Sequence, residues 1–230
     1  MTRVLASVAN LDEACQAYSE GADIIDLKNP SAGALGALPL SVISTITAKL
    51  SGMTPLSATI GDIPMNPDAI VTAVKAVAAT GVDYVKIGFF PDGDWSAVLQ
   101  CLQSQVAPGT QMIAVLFADQ SPSLKWLSKI AQCGFAGAML DTANKDIGSL
   151  LQVCEVSFLA DFVATCRASS LVCGLAGSLR LDDIPELLIL NPDYLGFRGA
   201  LCHLDRRSAL NPLAVASVLL RVRTAQISSP

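Results

Sequence analysis

The sequence predicts an α/β fold, a single (β/α)8 TIM barrel spanning residues 1–230. Three observations predict it. Apolar runs of strand length alternate with stretches of helical period along the whole chain, separated by short Gly, Asn, Asp and Pro punctuation. The strand runs are almost continuously apolar, as parallel strands buried on both faces must be. No Pro/Gly/Ser-rich linker or shift of composition divides the chain, so one domain accounts for it. Eight units in 230 residues lie close to the ~30-residue βα repeat. An open doubly wound sheet would place a glycine fingerprint after its first strand, where this sequence reads LASVANLDEA.

The elements follow in order. RVLASVA (3–9) is the first strand, and LDEACQAYSEG (11–21) its helix. DIIDLK (23–28) leads through Asn29-Pro30 to PLSVISTITAKLSG (39–52), and LSATIG (56–61) leads to PDAIVTAVKAVAATG (67–81). DYVKIGF (83–89) precedes WSAVLQCLQSQV (95–106), and MIAVLFA (112–118) precedes SLKWLSKIAQCG (123–134). GAMLDT (137–142) is followed by one long helical stretch, SLLQVCEVSFLADFVATCRA (149–168). LVCGLAG (171–177) with LDDIPELLIL (181–190), then YLGFRGA (194–200) with LNPLAVASVLLRV (210–222), complete the set. Gly21, Gly52, Gly81 and Gly134 sit where a helix must stop, the position of a left-handed cap.

Composition narrows the function classes. The chain is 52% hydrophobic with a mean hydropathy of +0.50, yet no apolar run reaches the ~18–20 residues of a spanning helix. The N-terminus lacks the basic start, apolar middle and cleavage site of a signal peptide. The expectation is a cytoplasmic protein whose surplus apolar surface fills a large core and covers subunit interfaces in a homo-oligomer. A net charge of −5 and the absence of a basic stripe argue against nucleic acid. The seven cysteines form no C-x-x-C pair, so neither metal nor other cofactor is expected and the cysteines read as small core residues. Only one histidine, His203, is present, which leaves proton transfer to Asp, Glu, Lys or Tyr.

In such a barrel the catalytic face lies at the C-terminal ends of the strands. Asp26 and Lys28 close the second strand, Lys86 lies late in the fourth, and Asp119 follows the fifth. Asp141 closes the sixth, with Lys145 four residues on. Asp26 and Lys28 are two apart and share a face. Lys49, Lys75, Lys125 and Lys129 fall in helical segments and read as surface charge, whereas lysine inside an apolar strand is costly unless paired. A structural ion pair would explain Lys86 alone. Three lysines and several carboxylates converging on one rim point instead to carbonyl chemistry. One amine forms a Schiff base, a second keeps it neutral or moves protons, and carboxylates orient them. Two glycine-rich stretches, GLAGSL (174–179) and GFRGA (196–200), fall after strands seven and eight, where barrels often hold phosphate. Gly174, Gly177, Ser178 and Gly199 would bring backbone amides to the anion, and Arg198 would add a charged contact.

The run DLKNPSAGALGA, the strand DYVKIGFF, LDTANKD and the pair GLAGSL/GFRGA resemble the (5-formylfuran-3-yl)methyl phosphate synthase family over essentially the whole chain. The resemblance implies a cytoplasmic TIM-barrel lyase that condenses two molecules of glyceraldehyde 3-phosphate in methanofuran biosynthesis, a pathway of one-carbon metabolism. It implies Lys28 as the Schiff-base lysine and Lys86 as proton acceptor, with Asp26, Asp141 and Lys145 assisting. It also exposes a departure: a glycine-rich turn before Asp-Arg is expected, and Cys202-His203-Leu204 stands there instead. Two other readings use the same residues, a different Schiff-base aldolase or isomerase of phosphorylated sugars, and a non-catalytic barrel that binds a sugar phosphate.

Overall fold

The computed structural model describes residues 1–227. Eight parallel strands pair in sequence order and the last returns to the first, closing the barrel. They are β1 (Arg3–Val8), β2 (Ile24–Leu27), β3 (Leu56–Thr59), β4 (Tyr84–Gly88), β5 (Gln111–Phe117), β6 (Gly137–Asp141), β7 (Val172–Leu175) and β8 (Tyr194–Phe197). The crossovers carry α1 (Leu11–Ser19), α2 (Leu40–Leu50), α3 (Pro67–Ala78), α4 (Trp95–Gln105), α5 (Trp126–Gln132), α6 (Leu150–Val153), α7 (Val156–Ala168) and α8 (Ile184–Ile189), and α9 (Pro212–Ile227) follows β8. Among the described residues no helix is long and apolar enough to cross a membrane.

Alternation along the strands sorts side chains into two cores. Val4, Ala6, Ile25, Leu27, Val85, Ile87, Leu140 and Leu175 pack outward against the helices. Leu5, Ile24, Ile113, Val115, Phe117, Met139 and Tyr194 fill the barrel interior. Polar residues share the interior parity: Ser7 on β1, Asp26 on β2, Ser57 and Thr59 on β3, Lys86 on β4 and Asp141 on β6 are all buried. The register that sets Ser7 beside Asp26 and Asp26 beside Ser57 makes this a connected polar ladder inside an apolar tube.

Local signals hold the helices in place. The side chains of Asn10, Asn66 and Asp94 accept the third amide of α1, α3 and α4. Gly21, Gly52, Gly81 and Gly134 all have positive φ, from +75° to +92°, as their cap positions require. The helical stretch expected at 149–168 is in fact broken. Cys154 and Glu155 are extended, and α6 is tied to the loop after β7 by a bond from the Leu150 amide to the Gly177 carbonyl (2.9 Å).

Gly174, expected in a phosphate loop, lies within β7, one layer below the mouth. The ring of Tyr194 occupies the space beside it, and a Cβ there would stand 2.2 Å from Tyr194 Cζ. Its glycine serves packing. Gly174→Ala is therefore expected to destabilise the fold by about 1–3 kcal/mol, the usual cost of an overpacked core. The denaturant midpoint measures this, and an unchanged midpoint would show that Tyr194 can move aside.

Candidate active site

Lys28 emerges just past β2, where Asn29-Pro30 stops the strand. Its amide still bonds the Val8 carbonyl (3.1 Å), and its Nζ faces a cavity of about 480 Å3. The same cavity is lined by Ser7, Asp141, Lys145, Ser178 and Arg206, among others. Among the described residues no hydrogen bond holds the Lys28 amine. Burial pulls its pKa from 10.5 down to about 8; Asp141 and Asp26 oppose the fall, while Lys145 and Lys86 reinforce it. An unbonded amine that loses its proton close to neutrality is a poised nucleophile.

Asp26 and Lys86 lie beneath it. Lys86 Nζ donates to Asp26 Oδ1 at 3.1 Å, and the hydroxyls of Ser57 and Ser7 donate to the two carboxylate oxygens at 2.6 and 2.9 Å. Burial would raise the Asp26 pKa, but the charges of Lys86 and Lys28 and these hydrogen bonds hold it below 3.8. Lys86 was expected at the rim. It sits instead in mid-strand, 1% exposed, and borders a narrow space of about 20 Å3 with Ser57, Tyr84 and Tyr194 at the N-terminal end of the barrel. Neither Lys86 nor Asp26 lines the mouth cavity.

Asp141 and Lys145 form the second pair, Nζ to Oδ1 at 2.5 Å, with Lys145 also donating to the Thr142 carbonyl. Burial raises the Asp141 pKa, yet Lys145, Lys28 and the Thr142 amide outweigh it and hold the carboxyl at about 2. The loop carrying Lys145 is fixed from the side. Asp119 accepts the amides of Ala143 and Asn144 (2.8 and 2.9 Å), so it positions the loop and does not face the cavity. Asp62 does the same for the loop after β2 by accepting the amides of Ala34 and Leu35, both at 2.8 Å.

Across the cavity stand the loops after β7 and β8. Gly177 (φ +117°) and Ser178 (φ 46°) bend the first loop, and Gly199 opens the second with no atom near its would-be Cβ. The amides of Gly177, Ser178, Gly199 and Ala200 make no hydrogen bond within the described residues, and all four residues line the cavity. Arg198, expected to join them, is committed elsewhere. Its guanidinium pairs with Glu13 (2.5 and 3.3 Å) and donates to the carbonyls of Ser7, Arg206 and Ser208 at 3.2, 2.7 and 3.0 Å. All five N–H groups are spent on protein acceptors, so none remains for a ligand.

Several participants escaped sequence reasoning. Ser7 and Ser57 carried a readable signal, polar side chains at the inward parity of β1 and β3. Glu13 carried another: in Asn10-x-x-Glu13 the cap Asn10 accepts the Glu13 amide, while the Glu13 carboxylate accepts the Ala9 amide, one residue before the cap, at 2.8 Å. Arg206, on the loop whose sequence departs from expectation, carried none. Among the described residues no group of three or more His, Cys, Asp or Glu is placed to hold a metal ion.

The fold and the family are shared with known proteins. The chain is similar in fold to phosphoribosyl anthranilate isomerase from Thermotoga maritima (TM-score 0.71, 12% identity, 97% of this chain and 100% of that one). It is likewise similar to a 3-hexulose-6-phosphate synthase (TM-score 0.66, 17% identity, 96% and 99%). In sequence it is 45% identical, over 96% of its length and 92% of the relative's, to a Methylorubrum extorquens protein provisionally named (5-formylfuran-3-yl)methyl phosphate synthase. It is 35% identical, over 95% and 96%, to the (5-formylfuran-3-yl)methyl phosphate synthase of Methanopyrus kandleri. With a family profile described as 4-HFC-P synthase matching residues 4–219, the chain belongs to the 4-HFC-P synthase family.

Proposed function

We propose that the protein condenses two molecules of glyceraldehyde 3-phosphate into (5-formylfuran-3-yl)methyl phosphate, as part of methanofuran-type cofactor biosynthesis. The observation that carries this reading is the unbonded Lys28 amine on the wall of a cavity that four residues with unbonded backbone amides also line. Its neutral form attacks the aldehyde carbon of one triose, and loss of water gives an imine. The imine acidifies the neighbouring carbon, whose proton leaves as the C3–O bond breaks and phosphate departs. The carbon skeleton so activated joins the second triose. Ring closure, dehydration and hydrolysis of the imine then free Lys28. The atoms balance: two C3 phosphates become one C6 furan phosphate, one inorganic phosphate and two waters.

The wall supplies the proton carriers. Lys145 and Asp141 both line the cavity and are hydrogen-bonded to each other, a pair suited to taking and returning the proton. Lys86 reaches the cavity only through Asp26 and Lys28, and so acts as the charge partner beneath the nucleophile. The amides of Gly177, Ser178, Gly199 and Ala200, on the same cavity as Lys28, hold the phosphate of the triose joined to Lys28 until it departs.

The test is incubation with glyceraldehyde 3-phosphate and borohydride across a pH series, with mass spectrometry of the adduct and assays for phosphate and furan. Lys28 is about one-tenth neutral a pH unit below its pKa of about 8, so trapping accelerates as pH rises through that value. An adduct at Lys28 with phosphate and furan supports the synthase. An adduct without furan assigns another aldolase-type reaction, and folded protein without adduct or phosphate release points to a binding role.

A further inference from the structure

More than one cavity opens at the barrel mouth. Beside the one over Lys28 lies a second of about 580 Å3, bordered by Gly33 and Ala34 after β2, Phe90 after β4, Asn144 after β6 and Arg207 after β8. Lys145, Asp146, Asp205 and Arg206 line both cavities and form the partition between them. A reaction that joins two phosphorylated trioses needs two anion sites, and the loops after β7 and β8 furnish one, on the Lys28 side.

We propose that Arg206 grips the phosphate of the second triose in this neighbouring cavity, and that the Glu13–Arg198 pair is the positioning device that holds Arg206 there. The assignment rests on the condensation proposed above. Within the described residues the Arg206 guanidinium makes a single hydrogen bond, to the Gly33 carbonyl at 3.3 Å, and no ion pair. Most of its planar fork is therefore open, in the geometry that suits phosphate oxygens. Carboxylates nearby are largely engaged. Asp205 caps the amides of Arg207 and Ser208, Asp62 holds Ala34 and Leu35, and Asp141 holds Lys145. Asp146 is the carboxylate left on the partition, where its charge and that of Asp141 act on Arg206 without a hydrogen bond to it.

The backbone under Arg206 is clamped. Arg198 Nε donates to the Arg206 carbonyl at 2.7 Å and Nη2 to that of Ser208 at 3.0 Å, while the same guanidinium is fixed by Glu13 and the Ser7 carbonyl. Glu13 is anchored in turn by the Ala9 amide. One buried ion pair thus ties the end of β1, the start of α1 and the loop after β8 at a single point. It touches no ligand; it sets where Arg206 stands.

Adduct trapping at Lys28 reports the first triose and furan formation reports the second, so the two readouts separate the sites. Arg206→Gln is expected to keep the borohydride adduct at the wild-type extent while furan formation at low triose concentration falls by on the order of 100-fold, the scale of a lost charge-assisted contact. Arg206→Lys should recover part of that loss. Glu13→Gln should raise the half-saturating triose concentration more than it lowers the maximal rate, without shifting the pH profile of adduct formation. Wild-type furan formation by Arg206→Gln would overturn the assignment, as would loss of its adduct from folded protein, which would move Arg206 to the first site. A wild-type enzyme without any adduct overturns the condensation itself and this assignment with it.

Discussion

Lys28→Ala is expected to abolish the borohydride adduct and to lower furan formation by on the order of 10^4-fold or more, because no other amine on the cavity wall is both unbonded and poised to lose its proton. Lys145 is the nearest substitute, but its Nζ is already held by Asp141 and by the Thr142 carbonyl. Removing Lys28 should at the same time stabilise the fold. A lysine whose pKa is pulled from 10.5 to about 8 disfavours the charged form in the native state, a cost on the order of 3 kcal/mol at neutral pH. The sign is definite. Below about pH 8 both states bind the proton and the full cost applies. Between about 8 and 10.5 the unfolded chain binds it and the folded chain does not, so wild-type stability rises with pH relative to Lys28→Met. Chemical denaturation of the two proteins at pH 7 and pH 10 reads this directly. A stability gap that is absent, or that does not narrow at the higher pH, would mean that the amine is better solvated than its position implies.

That trade of stability for reactivity also explains what was legible in the sequence and what was not. Strand parity and the (β/α)8 rhythm were visible because burial on both faces forces apolar runs, and Lys28, Asp141 and Lys145 stood out against them at strand ends. Depth along a strand was harder to read. Lys86 looked like a rim residue because βα boundaries are uncertain by a residue or two, yet it is the third of five residues in β4 and borders the space at the N-terminal end of the barrel. Gly174 and Arg198 were misplaced for a related reason. A glycine in a strand can serve a loop or a neighbouring ring, and only the Tyr194 ring decides between them. An arginine at a barrel rim can bind a ligand or a buried carboxylate, and Glu13, 185 residues away in sequence, decides that case. Local chemistry was readable; pairings across the chain were not.

The Asp26–Lys86 pair carries the largest expected effect on stability. Asp26 is fully buried and accepts three bonds, from Ser7, Ser57 and Lys86, while Lys86 has Asp26 as its only ion-pair partner among the described residues. Asp26→Asn removes the charge but keeps the shape, and leaves an ammonium stranded in an apolar tube. Breaking a buried pair in this way costs about 3–5 kcal/mol, a large share of the ~5–15 kcal/mol that holds a typical domain together. The double variant Asp26→Asn/Lys86→Met should recover much of the loss, since no charge remains to be stranded. Because Asp26 and Lys86 act on the Lys28 amine in opposite directions, the double variant should shift the pH profile of adduct formation little. Acid makes the same point in the wild type. A carboxyl held below its ordinary pKa stabilises the fold above about pH 4, and that contribution drains away as pH falls through its lowered value. Asp26→Asn should lack this acid-sensitive component. Equal denaturation midpoints for Asp26→Asn and wild type at pH 7 would overturn this account, since an ammonium stranded in an apolar tube cannot be free of cost.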